Sequence, residues 1–176
     1  MVGLEQLGNK ICIIGCTSSG KSTLAKALSQ KLNIPAYHLD LFAHKPHSKW
    51  LRVPDNELIN SQNKILSQDC WIIEGNYSIC MKERFDQATS IIWLNPNVII
   101  SVLRYIWRSF KNSPDRPGRL LGAKTEFQFW LVKHILFVYP KNRMKYRQLL
   151  EGYPHLPTLE LNSMTVLNQY YTYWDL

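Results

Sequence analysis

The run Gly15-Cys16-Thr17-Ser18-Ser19-Gly20-Lys21-Ser22 matches the pattern G-x-x-x-x-G-K-[ST] at every fixed position, and Thr23 follows it. Each residue type has a chemical reason. Gly15 and Gly20 permit backbone angles that turn successive N–H groups inward on a phosphate. A helix opening at Ser22 adds its positive N-terminal end. Lys21 reaches the outer phosphates as a point charge, and the Ser22 hydroxyl is placed to ligate Mg²⁺. Gly15 through Thr23 therefore read as a site for ATP or a closely similar triphosphate.

Phosphate chemistry of this kind also needs carboxylates, for the Mg²⁺ shell and for any proton leaving an acceptor hydroxyl. Two acids stand where open α/β sheets bind ligands, just past a strand. Asp40 ends His38-Leu39-Asp40, and Glu74 ends Trp71-Ile72-Ile73-Glu74, with Gly75 next to allow close approach. Both are candidates for holding Mg²⁺ through water and for acting as base, and the sequence does not divide these roles. Positive charge is as localised as the acids. Between Arg104 and Arg147 there are eleven Lys and Arg against Asp115 and Glu126, a net of +9 in a chain whose total is +8. Such a field attracts phosphates, on a nucleotide or on nucleic acid. Arg104, Arg108 and Lys111 fall at helical spacing and lead into Asn112-Ser113-Pro114-Asp115-Arg116-Pro117-Gly118-Arg119. The prolines and glycine break the helix there. The segment 112–124 reads as a lid, with Arg116 and Arg119 as its catalytic arginines.

The elements that must position these groups follow from hydrophobic pattern. Lys10–Ile14, Ala36–Leu39, Trp71–Ile73, Ser90–Leu94 and Thr158–Leu161 read as strands, several of them continuously apolar, as in strands buried on both faces. Helical patterns lie between them: Ser22–Leu32, a helix opening at Pro54-Asp55, one after Asn95-Pro96 carrying Val98, Val102, Tyr105, Ile106 and Phe110, and a last one capped by Ser163. Phe127–Tyr139 and Asn142–Glu151 read as two helices broken at Pro140. The first is apolar nearly all round, which favours a helix buried in the domain over a dimer contact. Strands alternating with helices predict a parallel sheet covered on both faces.

Length and composition bound the rest. The 176 residues suit one domain, 1–176, with 45% hydrophobic and 19% charged residues, a globular balance. No run is long enough to span a membrane. Four cysteines without C-x-x-C spacing read as buried free thiols in a reducing compartment, and no leader pattern is visible, so the expected location is cytoplasmic. The partners expected are ATP and a small phosphoryl acceptor, for a monomer or homodimer, with nucleic acid as the less favoured partner.

The order of phosphate loop, Leu39-Asp40 and Trp71-Ile72-Ile73-Glu74-Gly75-Asn76-Tyr77 resembles the bacterial DNA topology modulation proteins, in the adenylate-kinase-like and shikimate-kinase-like branch of P-loop NTPases. The likeness runs on through Ile91-Ile92-Trp93-Leu94 to Arg143 and beyond. It implies a three-layer α/β fold with a five-stranded parallel sheet of order 2-3-1-4-5, a small lid, and an acceptor site opposite ATP. It implies acceptor contacts from Asp40, Gly75, Asn76, Tyr77 and Arg84, and phosphate contacts from Arg104, Arg108, Arg143 and Arg147. The family carries Asp where this chain has Glu74, and its lid segment is longer and contains a Gly-Cys pair. The Asp-Gly-Phe-Pro-Arg element of adenylate kinases is missing, which argues against AMP as acceptor. Residues and resemblance together predict transfer of the γ-phosphoryl group of Mg²⁺–ATP to a small molecule, a nucleotide- or nucleoside-like compound or another metabolite, with a nucleotide-binding regulator of nucleic acid as the alternative.

Overall fold

The computed structural model describes residues 1–48, 50–111, 117–118 and 127–176. Five strands, β1 (Lys10–Gly15), β2 (Ala36–His38), β3 (Trp71–Glu74), β4 (Ser90–Leu94) and β5 (Thr158–Leu161), form one sheet of order β2-β3-β1-β4-β5. Every neighbouring pair is parallel. The expected class and strand order are therefore observed. The helices are α1 (Lys21–Leu32), α2 (Leu39–Ala43), α3 (Asp55–Leu66), α4 (Met81–Gln87), α5 (Val98–Lys111), α6 (Phe129–Lys133), α7 (Tyr139–Glu151) and α8 (Met164–Trp174).

Alternation along the strands builds two core layers. Ile11, Ile13, Ile72, Ile92 and Leu94 pack with Leu24 and Leu28 of α1 and with Leu167, Tyr170 and Trp174 of α8. Cys12, Ile14, Trp71, Ile73, Ile91 and Trp93 face the other way, onto Leu58 and Ile65 of α3, Phe85 of α4, Tyr105 of α5 and Tyr146 of α7. Period-two side chains on a doubly covered sheet produce this division directly. The chain ends are tied together, since Trp174 Nε1 donates to the Val2 carbonyl at 2.9 Å. Ser163 caps α8, its hydroxyl accepting from Val166 N at 3.1 Å.

Two expectations are corrected on the far side of the sheet. Pro140 does not break the helix. Between α6 and α7 the chain forms a π-helical turn, His134–Val138, and Pro140 falls in the first turn of α7. Proline has no N–H to give and tolerates a first turn, and the wider π turn lets the two helical segments run on. Nor is the Phe127–Tyr139 stretch a buried helix, for among its residues only Ile135 and Tyr139 are buried. On α5, Tyr105 is buried whereas Phe110, expected on the same face, is exposed. All four cysteines are free, with Cys12, Cys16 and Cys80 buried and Cys70 half-buried. Among the described residues no helix is long and apolar enough to cross a membrane.

The site begins where β1 ends. Gly15 has φ +142°, and a Cβ there would lie 2.0 Å from the Leu94 carbonyl oxygen. Backbone on backbone cannot give way as a flexible side chain can. Gly15→Ala is expected to lower stability by at least ~1–3 kcal/mol, the cost of the backbone conformation alone. Urea unfolding should show a lower midpoint with an unchanged slope. A midpoint at or above that of the parent protein contradicts the wedge.

Candidate functional site

The phosphate loop is held from three sides. Asn76 clasps Gly15, accepting from its N–H at 3.0 Å and donating to its carbonyl at 2.5 Å. Cys16 N donates to the Leu94 carbonyl at 3.2 Å. Arg104 on α5 donates through Nε to the Ser18 carbonyl at 2.9 Å, at a residue with φ +62°. Gly20 has φ +104° and precedes α1 without any side-chain cap. The first N–H groups of α1 thus keep the anion-binding character of a helix start. Lys21 Nζ donates to the Cys16 carbonyl at 2.8 Å, lying across the loop. Cys16 and Ser19 have buried side chains, and their N–H groups are donated to the Leu94 and Cys16 carbonyls, so both support the loop.

Glu74 meets this loop. Its Oε1 accepts from Ser22 Oγ at 2.8 Å and lies 2.9 Å from His38 Nδ1, while its side chain is only 3% exposed. Burial alone pushes the carboxyl upward. The His38 hydrogen bond, the Lys21 charge and the Ser22 hydrogen bond outweigh it and hold Glu74 below the usual carboxylate range. His38 was not singled out from sequence, although it stands two residues before Asp40 at a strand end. Asp40 stands just past β2 as expected, in the first turn of α2. Its Oδ1 accepts from Tyr77 OH at 2.6 Å. Burial, reinforced by the Glu74 charge, pushes Asp40 upward despite the Tyr77 bond and the Lys21 and His44 charges. Two acids of the same fold region are thus driven in opposite directions.

Thr17, Ser18, Gly20 to Thr23, Asp40, Glu74, Gly75, Asn76, Tyr77, Arg104 and Arg108 all line one cavity of about 570 Å³. That volume is in the range of small-molecule sites. The same cavity takes in residues that no sequence motif marks: His44, Trp50 and Arg52 before α3, Trp107 on α5, and Gln128, Trp130, Leu131 and His134 at and around α6. Of the expected lid, Pro117 and Gly118 line the cavity. A Cβ on Gly118 would lie 3.1 Å from Ser22 Oγ and 3.5 Å from Glu74 Oε1, so this turn rests on the Ser22–Glu74 pair. Arg116 and Arg119 lie outside the described residues.

Three expected contacts are corrected. Arg84 does not face an acceptor. It is fully buried, and its guanidinium donates to the Gly75 carbonyl at 3.1 Å and the Tyr77 carbonyl at 3.5 Å. It holds up the segment after β3 from behind. Arg143 is half-buried on α7 and is not part of the cavity lining; its charge acts on Tyr139. Arg147 leans over the Trp93 ring, 5.7 Å from its centroid, and reaches Glu160 at 3.4 Å, again apart from the cavity.

The donor set suits the groups the motif implies. Among the described residues no cluster of three or more His, Cys, Asp or Glu forms. Mg²⁺ beside a nucleotide is held by one or two carboxylates or hydroxyls together with phosphate oxygens and water. Ser22 Oγ and Glu74 Oε1 are such a pair, next to a loop whose glycine leaves no room for a side chain.

No family model and no curated protein matches the chain, so the likeness to the topology modulation proteins rests on its motif residues. Solved structures do match. The chain is similar to shikimate kinase from Bacteroides thetaiotaomicron at 17% identity, over 94% of this chain and 98% of that one, with a TM-score of 0.58. It is also similar to a gluconokinase from Sinorhizobium meliloti, at 14% identity over 90% of this chain and 85% of that one, with a TM-score of 0.54. The likeness is one of fold: the five-stranded parallel sheet flanked by helices that these P-loop kinases share.

Proposed function

We propose that the protein is a small-molecule kinase that transfers the γ-phosphoryl group of Mg²⁺–ATP to an acceptor hydroxyl. The observation that carries this reading is the joining of one cavity from two halves. The phosphate loop with Ser22 and Glu74 forms one half, and Asp40 with Tyr77 forms the other. The fold shared with shikimate kinase and gluconokinase supports it.

Mg²⁺–ATP, when bound, supplies the transferable phosphoryl group and the cation that screens its charge. The N–H groups of Gly20 to Thr23, at the start of α1, cradle phosphate oxygens. Lys21 swings from the Cys16 carbonyl to the outer phosphates. Ser22 and Glu74 would hold Mg²⁺ through their side-chain oxygens. The lowered carboxyl of Glu74 keeps the charge that role needs. Asp40, raised by burial and by Glu74, is the better base. It takes the proton of the acceptor hydroxyl as the oxygen of that hydroxyl forms its bond to phosphorus and the bond to the β-phosphate oxygen breaks. Tyr77 orients Asp40. Arg104 and Arg108, both lining the cavity, offset the charge of the transferring group. Their direction into the cavity favours phosphate handling over a nucleic-acid footprint.

Lys21→Ala is expected to abolish transfer and most triphosphate affinity, read by product mass and by calorimetry with Mg²⁺–ATP. Unchanged affinity and turnover would remove the phosphate loop from the mechanism. Asp40→Asn should lower kcat by about 10²–10⁴-fold, the range for loss of a positioned base, with nucleotide affinity kept. The same variant makes a stability prediction of definite sign. A carboxyl raised in the folded state contributes stability below its unfolded pKa, about 4, and loses it as pH rises through the folded value. Asp40→Asn should therefore be more stable than the parent at pH 7, and the gain should shrink toward zero on acidification. Glu74, held low, contributes in the opposite sense: its stability is present above the ordinary Glu range and fades as pH falls through the folded value. Glu74→Gln should flatten that acid limb. Urea midpoints between pH 4 and 8 check both variants.

A further inference from the structure

The acceptor end of the cavity has a composition that the phosphate chemistry does not call for. From Asp40 a continuous chain of contacts leads outward through rings. Tyr77 OH donates to Asp40 Oδ1 at 2.6 Å, and His44 Nδ1 lies 3.0 Å from the Asp40 carbonyl oxygen. The His44 ring meets Trp50 edge-on, with centroids 5.2 Å apart and planes at 81°. Arg52 lies over the Tyr77 ring, 5.7 Å from its centroid. All of them line the cavity.

The ribbon that carries Trp50 and Arg52 is built for presentation. His44 and Arg52 pair as an antiparallel bridge, and Lys45 N donates to the Leu51 carbonyl at 2.9 Å. Trp50 takes φ +60°, the left-handed region that a bulky residue adopts only at a cost. Nothing in closing a surface ribbon requires an indole there, and a glycine would enter that region freely. The indole stands half-buried on the wall of the cavity, edge-on to His44, which in turn lies against the Asp40 carbonyl.

Resting on the kinase reading above, we propose that the acceptor carries a flat aromatic ring in addition to its hydroxyl, a compound of the nucleoside class, and that Trp50 is its specificity-determining residue. The ring lies against Trp50 at the outer end of the wall, with His44 setting the indole's angle, and the hydroxyl-bearing arm points inward to Asp40. Arg52 adds a cation–π or hydrogen-bonding partner at the rim. An aliphatic polyol or sugar acid would leave this aromatic wall without a matching face. The Trp107 ring is a different matter: it sits on α5 three residues from Arg104, which grips the phosphate loop, and so belongs to the donor side.

The test uses the full chain and separates this inference from the reading beneath it. Adenosine and guanosine serve as ring-bearing probes, and gluconate and glycerol as ring-free ones. Each is measured by calorimetry without nucleotide and by product mass with Mg²⁺–ATP. The expected result is binding and phosphorylation of a ring-bearing probe in preference to the ring-free ones. Trp50→Ala should then raise its KM by about 5- to 150-fold, the range for losing one base–aromatic stack. Its kcat should stay within a few-fold, and Trp50→Phe should recover most of the loss. Circular dichroism checks that the exchanged ribbon leaves the fold unchanged. Preference for gluconate or glycerol overturns the proposal, and so does an unchanged KM in folded Trp50→Ala. Trp50-dependent binding of a nucleoside without any phosphoryl transfer upholds the aromatic wall and instead overturns the kinase reading. Failure of every probe to bind overturns the aromatic proposal even if ATP is hydrolysed.

Discussion

A carboxylate with a 3% exposed side chain sets the terms for everything around it. Glu74 sits at the end of β3, where an unpaired charge would cost several kcal/mol. It is kept charged by three neighbours: the Ser22 hydroxyl at the start of α1, the His38 ring at the end of β2, and the Lys21 charge. Sheet register brings them together. Glu74 is opposite Ile13 of β1 on one side and His38 of β2 on the other. A slip of one residue in either pairing would turn the carboxylate to the opposite face and strand it among Ile73's neighbours. The cost of burying this one charge therefore fixes the phosphate loop relative to the sheet.

The segment after Glu74 carries the constraint into the acceptor half. Gly75 has φ +138°, and a Cβ there would press on Leu39 at 3.0 Å. Asn76 then turns back to close Gly15, and Tyr77 turns forward to hold Asp40. Arg84 satisfies the carbonyls of Gly75 and Tyr77 from beneath, which braces the segment as its side chains turn to either side. A fully buried guanidinium is an expensive support: two of its nitrogens are paired with carbonyls, and Nε finds no partner among the described residues.

These relations mark where the sequence could be read and where it could not. The phosphate loop was legible because its chemistry depends on backbone and on fixed spacing, and the strands because continuous apolar runs between helical patterns permit little else. Asp40 and Glu74 were legible as strand-end acids, yet their division of roles was not, since it depends on His38 and Tyr77, which meet them only through the folded sheet. Arg84 misled because charge was read as surface; the apolar Met81 and Phe85 around it on a short helix were the available signal. Pro140 misled because a break was the simple consequence of a proline, and a π turn is not written in any local pattern. Trp50 was invisible for a related reason, its importance lying in a backbone angle and a ring contact.

The two halves of the cavity consequently stand on different footings. Donor residues are mounted on β1, α1 and β3, and their positions follow from the same burial that makes the fold. Acceptor residues hang from α2 and from the ribbon between His44 and Arg52, whose backbone pairs with itself rather than with the sheet. A ribbon of that kind can exchange its side chains at little cost to the core, whereas Gly15 or Glu74 cannot change without disturbing strands. The side chains around Gly15 and Glu74 are thus fixed by the sheet, whereas those between β2 and α3 are fixed by their own ribbon.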